Sequence, residues 1–167
     1  LPDEQAQERF LHDDGAAHAS APRIVFGHLP LYLHHPQEAA LGHYDNVAEP
    51  GRSRLLEDLR RHPPLALFCA HVHFRFLHEL PGGGDYWLAP STSFTRPGFG
   101  QLFAATAAPE QGRDDVDKTG LLLCRLRTAD GSAPSLDVHV VRTHDLAAQR
   151  GTCVLAPMAP SPRLGLT

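Results

Sequence analysis

Cysteine is scarce in this chain, and what there is lies far apart: Cys69, Cys124 and Cys153. An odd number at that spacing, with no Cys-x-x-Cys, argues against a disulfide framework and against a structural zinc knuckle. Cys69 and Cys124 fall inside apolar, strand-like runs and read as packing residues. No apolar run approaches the length of a transmembrane helix, so no membrane segment is expected. A basic excess is also missing. With 15 Lys and Arg against 19 Asp and Glu, the net charge is −4, and nothing electrostatic points to nucleic acid. No signal-like segment and no internal repeat is visible, and the location read from this is cytoplasmic. A single Trp and a single Met stand beside 12 histidines. Most of those, such as His12, His18 and His62, lie on polar stretches where a solvated imidazole is the ordinary state. What remains is 167 residues with 42% hydrophobic content, enough for one domain with a real core.

The stretch around which the chain is organised runs from Pro63 to Phe74. Two prolines open it, an apolar run fills it, and His71-Val72-His73 closes it. Residues 65–69 read as a short buried strand, since an unbroken apolar run of this length suits a sheet covered on both faces. Continued in extended form, the period of two puts His71 and His73 on one face. Two neutral imidazoles at the carboxyl end of a buried strand suit a borderline metal cation. Open α/β sheets keep their sites at that end.

A second run of the same kind lies upstream. Ile24-Val25-Phe26 reaches Gly27-His28, with Pro30 two residues on. Between the two runs, residues 52–61 carry Leu55, Leu56 and Leu59 on one stripe and are predicted to be a helix. Ser53 is its expected cap, and Arg60 and Arg61 suit its negative end. Strand, helix and strand then form one right-handed crossover, which brings His28 and His71 to the same sheet edge. The fold class expected is α/β.

Gly27-His28-x-Pro30 and Ala70-His71-x-His73 resemble the last two metal motifs of the calcineurin-like metallophosphoesterases, in the family's order. The resemblance spans residues 1–98. The family's three earlier motifs, Asp-x-His, Gly-Asp-x-x-Asp and Gly-Asn-His-Asp/Glu, are not present, and Ala70 stands where the family usually has Gly. The chain begins at Leu1 rather than Met, so it is expected to be the C-terminal part of a longer protein.

The resemblance implies half of an α/β/β/α sandwich, with residues 1–145 as the C-terminal part of the domain and 146–167 as a proline-rich tail. It implies a hydrolase that cleaves a phosphoester small-molecule substrate by a hydroxide activated between two divalent ions, Mn, Fe or Zn. By the same resemblance, His28 and His71 would ligate one ion and His73 the other. Two other readings stand beside it. One is a metal-dependent amidohydrolase, which also uses a strand-terminal His-x-His; there several βα units usually follow, whereas strands and a tail follow here. The other is a non-catalytic binding module in which His71 and His73 merely end a strand.

The rest of the chain is plainer. Residues 1–19 are predicted to be a helix, with Pro2 in its first turn and Phe10 and Leu11 on an apolar side. Residues 29–51 form a long loop bordering the histidines, with His43 and Asn46 as candidate substrate-side residues. Residues 74–92 read as a hairpin turning through Gly82-Gly83-Gly84. Residues 104–120 read as an exposed acidic excursion. Residues 121–127 and 136–142 are predicted to be a second hairpin, on or after which His139 and His144 have no assigned role.

Overall fold

The computed structural model describes residues 2–38, 45–73, 75–92, 119–128, 132–143 and 145. The chain divides into two compact units, Leu1–Ala89 and Pro90–Thr167. That break falls inside the span that the sequence reads as one domain. The acidic excursion before residue 119, the tail from 146 onward and His144 lie outside the described residues.

The first unit opens with helix α1, Pro2–Ala17, followed by strand β1, Ile24–Phe26. Helix α2, Gly51–Arg61, leads into β2, Ala66–Cys69. Strands β3, Phe76–Glu79, and β4, Asp85–Leu88, complete it. The four strands form one mixed sheet in the order β1-β2-β4-β3. β1 and β4 run parallel to β2, while β3 and β4 are an antiparallel hairpin. Helices and strands alternate in the α/β manner expected.

Each residue of β2 is buried, as a central strand with partners on both sides requires. β1 is different. Among the described residues it forms the sheet edge, and Phe26 is 75% exposed although it stacks on Phe68 at 5.5 Å. A strand with a neighbour on one side buries less than its apolar composition suggests.

The three glycines at the β3–β4 turn all have positive φ, between 96° and 106°. Gly84 is the most constrained, because its backbone lies against the Pro64 carbonyl just before β2. A Cβ there would sit 2.2 Å from Pro64 O, so only glycine fits.

The helices depart from the sequence reading in two respects. Phe10 is 70% exposed, so it does not supply α1 with an apolar side. α1 is instead tied to α2 by polar bridges, Glu8 to Arg54 at 2.8 Å and His12 to Asp58 at 3.1 Å. At the start of α2 the cap is not Ser53. The Glu49 carboxylate, just outside the helix, accepts the Ser53 N–H at 3.2 Å and the Arg52 Nε–H at 2.9 Å. These bonds hold the Glu49 carboxyl below its ordinary value, the Ser53 side-chain bond contributing most.

The second unit contains one described hairpin, β5 (Gly120–Arg127) with β6 (Ser135–Arg142), paired antiparallel from Gly120↔Arg142 to Arg127↔Ser135. Val138 and His139 are its buried side chains. Cys124, expected to pack in the core, is exposed, as is each residue of β5 from there to Arg127.

Candidate metal centre

Parallel pairing of β1 and β2 builds the candidate site. The register sets Phe26 beside Phe68, and the ladder continues past both strand ends. Gly27 N–H donates to Phe68 O at 2.8 Å, and Ala70 N–H to His28 O at 3.0 Å. Gly27 permits a close approach here, since a Cβ would lie 3.3 Å from Cys69 Sγ. The two histidines, 43 residues apart in sequence, therefore leave neighbouring strand ends together. His28 Nε2 and His71 Nδ1 are 3.1 Å apart, with ring centroids 5.0 Å apart and the planes at 75°.

His71 and His73 do not continue β2 in extended form. Both are left-handed, with φ of 63° and 62°. The chain folds back directly after Cys69: Val72 N–H donates to Ala70 O at 2.6 Å, and the Val72 side chain is completely buried. The period-of-two argument fails because the strand ends before the histidines. Left-handed backbone outside glycine costs about 1–3 kcal/mol and gathers at functional sites. Histidine is among the few residues enriched there. Ala70, by contrast, is not among the residues with positive φ, so alanine in place of glycine is no burden.

The strain at His73 is open to measurement. His73→Gly and His73→Ala both delete the ring, but only glycine accepts φ of 62° freely. The glycine variant should be about 1 kcal/mol more stable than the alanine variant in urea unfolding. Equal stabilities would mean that the left-handed backbone carries no cost.

Behind His71 lies a carboxylate that the sequence reading did not single out. Asp45 is 2% exposed, and its Oδ1 lies 3.6 Å from His71 Nε2. Its place in the loop between β1 and α2 follows from how that loop is tied down. Leu31, Tyr32 and Leu33 are buried, not solvated. Tyr86 OH accepts the Leu31 N–H at 2.9 Å and donates to Tyr32 O at 3.0 Å, while Tyr32 OH donates to Glu79 O at 3.1 Å. Burial drives the Tyr32 hydroxyl up to about 12 and the Tyr86 hydroxyl higher still, so both remain protonated and hold these bonds.

Glu38 gathers the loop from the other side. Its carboxylate accepts the N–H groups of Leu33 and His34, both at 2.9 Å, and of His35 at 3.3 Å. It also accepts the Asn46 side-chain amide at 2.6 Å. Burial alone would raise the Glu38 carboxyl, but these donors outweigh burial and hold it below its ordinary value. The buried Arg52 guanidinium donates to the Glu38 backbone carbonyl as well.

Asn46, expected to face substrate, is thus 7% exposed with its amide committed to Glu38, which makes it a loop tie. His43, the other candidate in this loop, lies outside the described residues. The tyrosine and Glu38 ties could not be anticipated from spacing, since most join a side chain to a backbone group and none follows a period.

The donor chemistry fits a cation in part. Two nitrogens on one four-coordinate ion at about 2.0–2.1 Å lie roughly 3.3–3.4 Å apart. The observed 3.1 Å between His28 Nε2 and His71 Nδ1 is close to that spacing. Among the described residues, however, no group of three or more His, Cys, Asp or Glu is placed to hold a metal ion. The pair by itself would make two ligands, and the three-imidazole set that would include His73 is not assembled from these residues.

Cys69, beside Gly27, is not a further donor in its resting form, because burial drives its thiol up to about 12. A groove of about 450 Å³ lies elsewhere, along α2 between Glu49, Arg52, Glu57 and Arg60. Its arginines are already paired, Arg52 with Glu49 and Arg60 with Glu57, so neither is held ready for an anionic ligand.

No helix among the described residues is long and apolar enough to cross a membrane. Compared with known proteins, the chain matches no family model and no curated sequence.

Proposed function

We propose that this chain supplies part of the site of a metal-dependent phosphoester hydrolase of the calcineurin-like type, and part of that family's α/β/β/α sandwich. The observation that carries the reading is the meeting of His28 Nε2 and His71 Nδ1 at 3.1 Å, on adjacent parallel strand ends. These are the histidines of the two motifs through which the chain resembles the family. The left-handed backbone at His71 and His73 adds to it, since strain of this kind persists where surrounding structure enforces it for use.

In this reading His28 and His71 hold one divalent ion, Mn, Fe or Zn, and His73 faces a second. When bound, such ions neutralise charge on phosphoryl oxygens and make water acidic enough to attack at neutral pH. The residues of this chain orient and hold. His28 is on the exposed side, where a small phosphoester can arrive. His71 is backed by Asp45. The tied segment 30–33 fixes the entry to the loop beside them. Carboxylate ligands are needed as well, because imidazoles alone leave the charge of two close cations uncompensated.

The test uses the protein in the longest form that its gene encodes. It is stripped with chelator, reloaded with Mn²⁺, Fe²⁺ or Zn²⁺, and assayed on p-nitrophenyl phosphate and bis(p-nitrophenyl) phosphate. Cleavage of either ester that requires the ion is the expected result. Binding of ions with no cleavage of any phosphoester would sink the reading in favour of a binding module. Cleavage of amides instead would favour the amidohydrolase.

A further inference from the structure

Strand β3 sets one titratable ring in the packing that fastens the loop after His28. His78 pairs across the hairpin with Tyr86. Three rings meet there, with centroids 4.9 Å apart for Tyr32 and Tyr86, 5.7 Å for Tyr32 and His78, and 5.8 Å for His78 and Tyr86. Phe76 stacks on His78 at 6.2 Å, with the planes at 17°. Through Tyr32 the cluster holds segment 31–33, which is buried throughout.

His78 Nε2 is out of water and has no hydrogen-bond partner. A neutral imidazole carries one N–H, and an imidazolium carries one on each nitrogen. Whichever tautomer the neutral ring adopts, protonation therefore leaves an N–H and a positive charge at Nε2 with nothing to accept them, which is costly away from water. Ring faces attract a cation, but they do not replace an acceptor at Nε2. The ionisable groups that bear on the ring are Tyr32, His34 and Glu38 from the loop and Tyr86 from β4. Both tyrosines stay protonated, and the Glu38 carboxylate is committed to Leu33, His34, His35 and Asn46.

We propose that His78 is an acid-sensitive catch on segment 31–33: the neutral ring packs with Tyr32 and Tyr86 and keeps the segment down, and the protonated ring releases it. The segment gives way before the hairpin does. β3 is held to β4 by a ladder from Phe76↔Leu88 to Glu79↔Asp85. Segment 31–33 is held to the sheet by tyrosine hydroxyls, Tyr86 OH to Leu31 N–H and Tyr32 O, and Tyr32 OH to Glu79 O. Since the segment starts three residues after His28, its release loosens the loop beside the histidine pair, whatever that pair binds.

The direction of the effect follows from proton linkage. Burial holds the His78 imidazole below its ordinary 6.5, with His34 adding to burial and the Leu33 backbone and Glu38 opposing it. Once released, the ring meets water and returns toward the ordinary value. The released form therefore binds more protons in the window just below 6.5, and the closed form loses ground as the pH falls through it. Above that window the catch is fully closed.

The test is amide hydrogen exchange by NMR on the full chain at pH 7.5 and 5.5, each rate corrected for intrinsic exchange, with a ring titration of His78. Leu31 N–H, bonded to Tyr86 OH, reports the segment, and Leu67 N–H in β2 reports the sheet. Protection of Leu31 should fall roughly five- to tenfold at the lower pH while that of Leu67 holds. The fall should vanish in His78→Phe, and in His78→Gln should the larger ring disturb the fold. It should persist in His34→Gln, since His34 is exposed. A His78 that titrates at or above its ordinary value overturns the proposal. So does unchanged Leu31 protection in the wild type, an equal fall at Leu67, or a fall that survives both His78 variants.

Discussion

Removing either ring of the histidine pair should reduce Zn²⁺ or Mn²⁺ binding by about 100-fold or more, a larger loss than the roughly 10–100-fold that follows removal of an outer partner. His71→Ala deletes the nitrogen 3.1 Å from His28 and leaves the buried Asp45 without the imidazole edge it faces. That variant should therefore lose stability as well as the ion. His28→Ala separates the two effects. His28 is exposed, so its removal disturbs little packing while deleting the other half of the contact. Equilibrium dialysis against Zn²⁺, beside urea unfolding of both variants, measures the two quantities independently. Binding retained in His28→Ala would show that the pair is an interhistidine hydrogen bond and not a ligand pair. Activity on a phosphoester should fall in step with bound ion in both variants.

The largest loss of stability is expected at Gly84, well away from the histidines. Gly84→Ala places a methyl 2.2 Å from Pro64 O, on a backbone with φ of 96°. Backbone oxygen cannot swing aside as a flexible side chain can, so the β3–β4 hairpin must shift against the start of β2. Strain and overpacking together should cost about 3 kcal/mol or more. Gly83→Ala is the control. Its φ is 106°, but nothing lies within 4 Å of the added Cβ, so only the backbone term applies, about 1 kcal/mol. The difference between the two midpoints isolates the clash. Equal destabilisation would mean that the hairpin yields and that its packing on β2 is loose. Because His71 follows two residues after the far end of β2, Gly84→Ala should also weaken ion binding, and Gly83→Ala should not.

Local sequence rules were enough for the elements. An unbroken apolar run over residues 65–69 could only be satisfied by burial on both faces, and β2 is buried at every residue. Leu59 on the α2 stripe is buried as its period demands. The three consecutive glycines marked a turn because few other residues accept the φ values found there. Strand, helix and strand in that order brought His28 and His71 to one edge, since parallel neighbours joined by a helix leave their carboxyl ends side by side.

Where the same rules were extended past an element's end, they failed. His71 and His73 were expected on one face of a strand, yet the strand stops at Cys69 and both residues turn left-handed. Phe10, Phe26 and Cys124 were expected to find apolar surroundings, and each is exposed. Apolar character says that burial is favourable, not that a neighbour is there to provide it.

The sequence by itself thus determined the α/β alternation, the buried central strand, the two hairpins and the histidines at neighbouring strand ends. All of these follow from period, turn chemistry and chain order, which act over a few residues. Only the tertiary structure decided that Asp45 stands behind His71, that Asn46 is tied to Glu38, and that Tyr86 fastens the segment after His28. Those contacts join side chains to groups as many as 55 residues away. Their geometry depends on how a loop with no repeating pattern packs, and a periodic signal carries no information about such a loop.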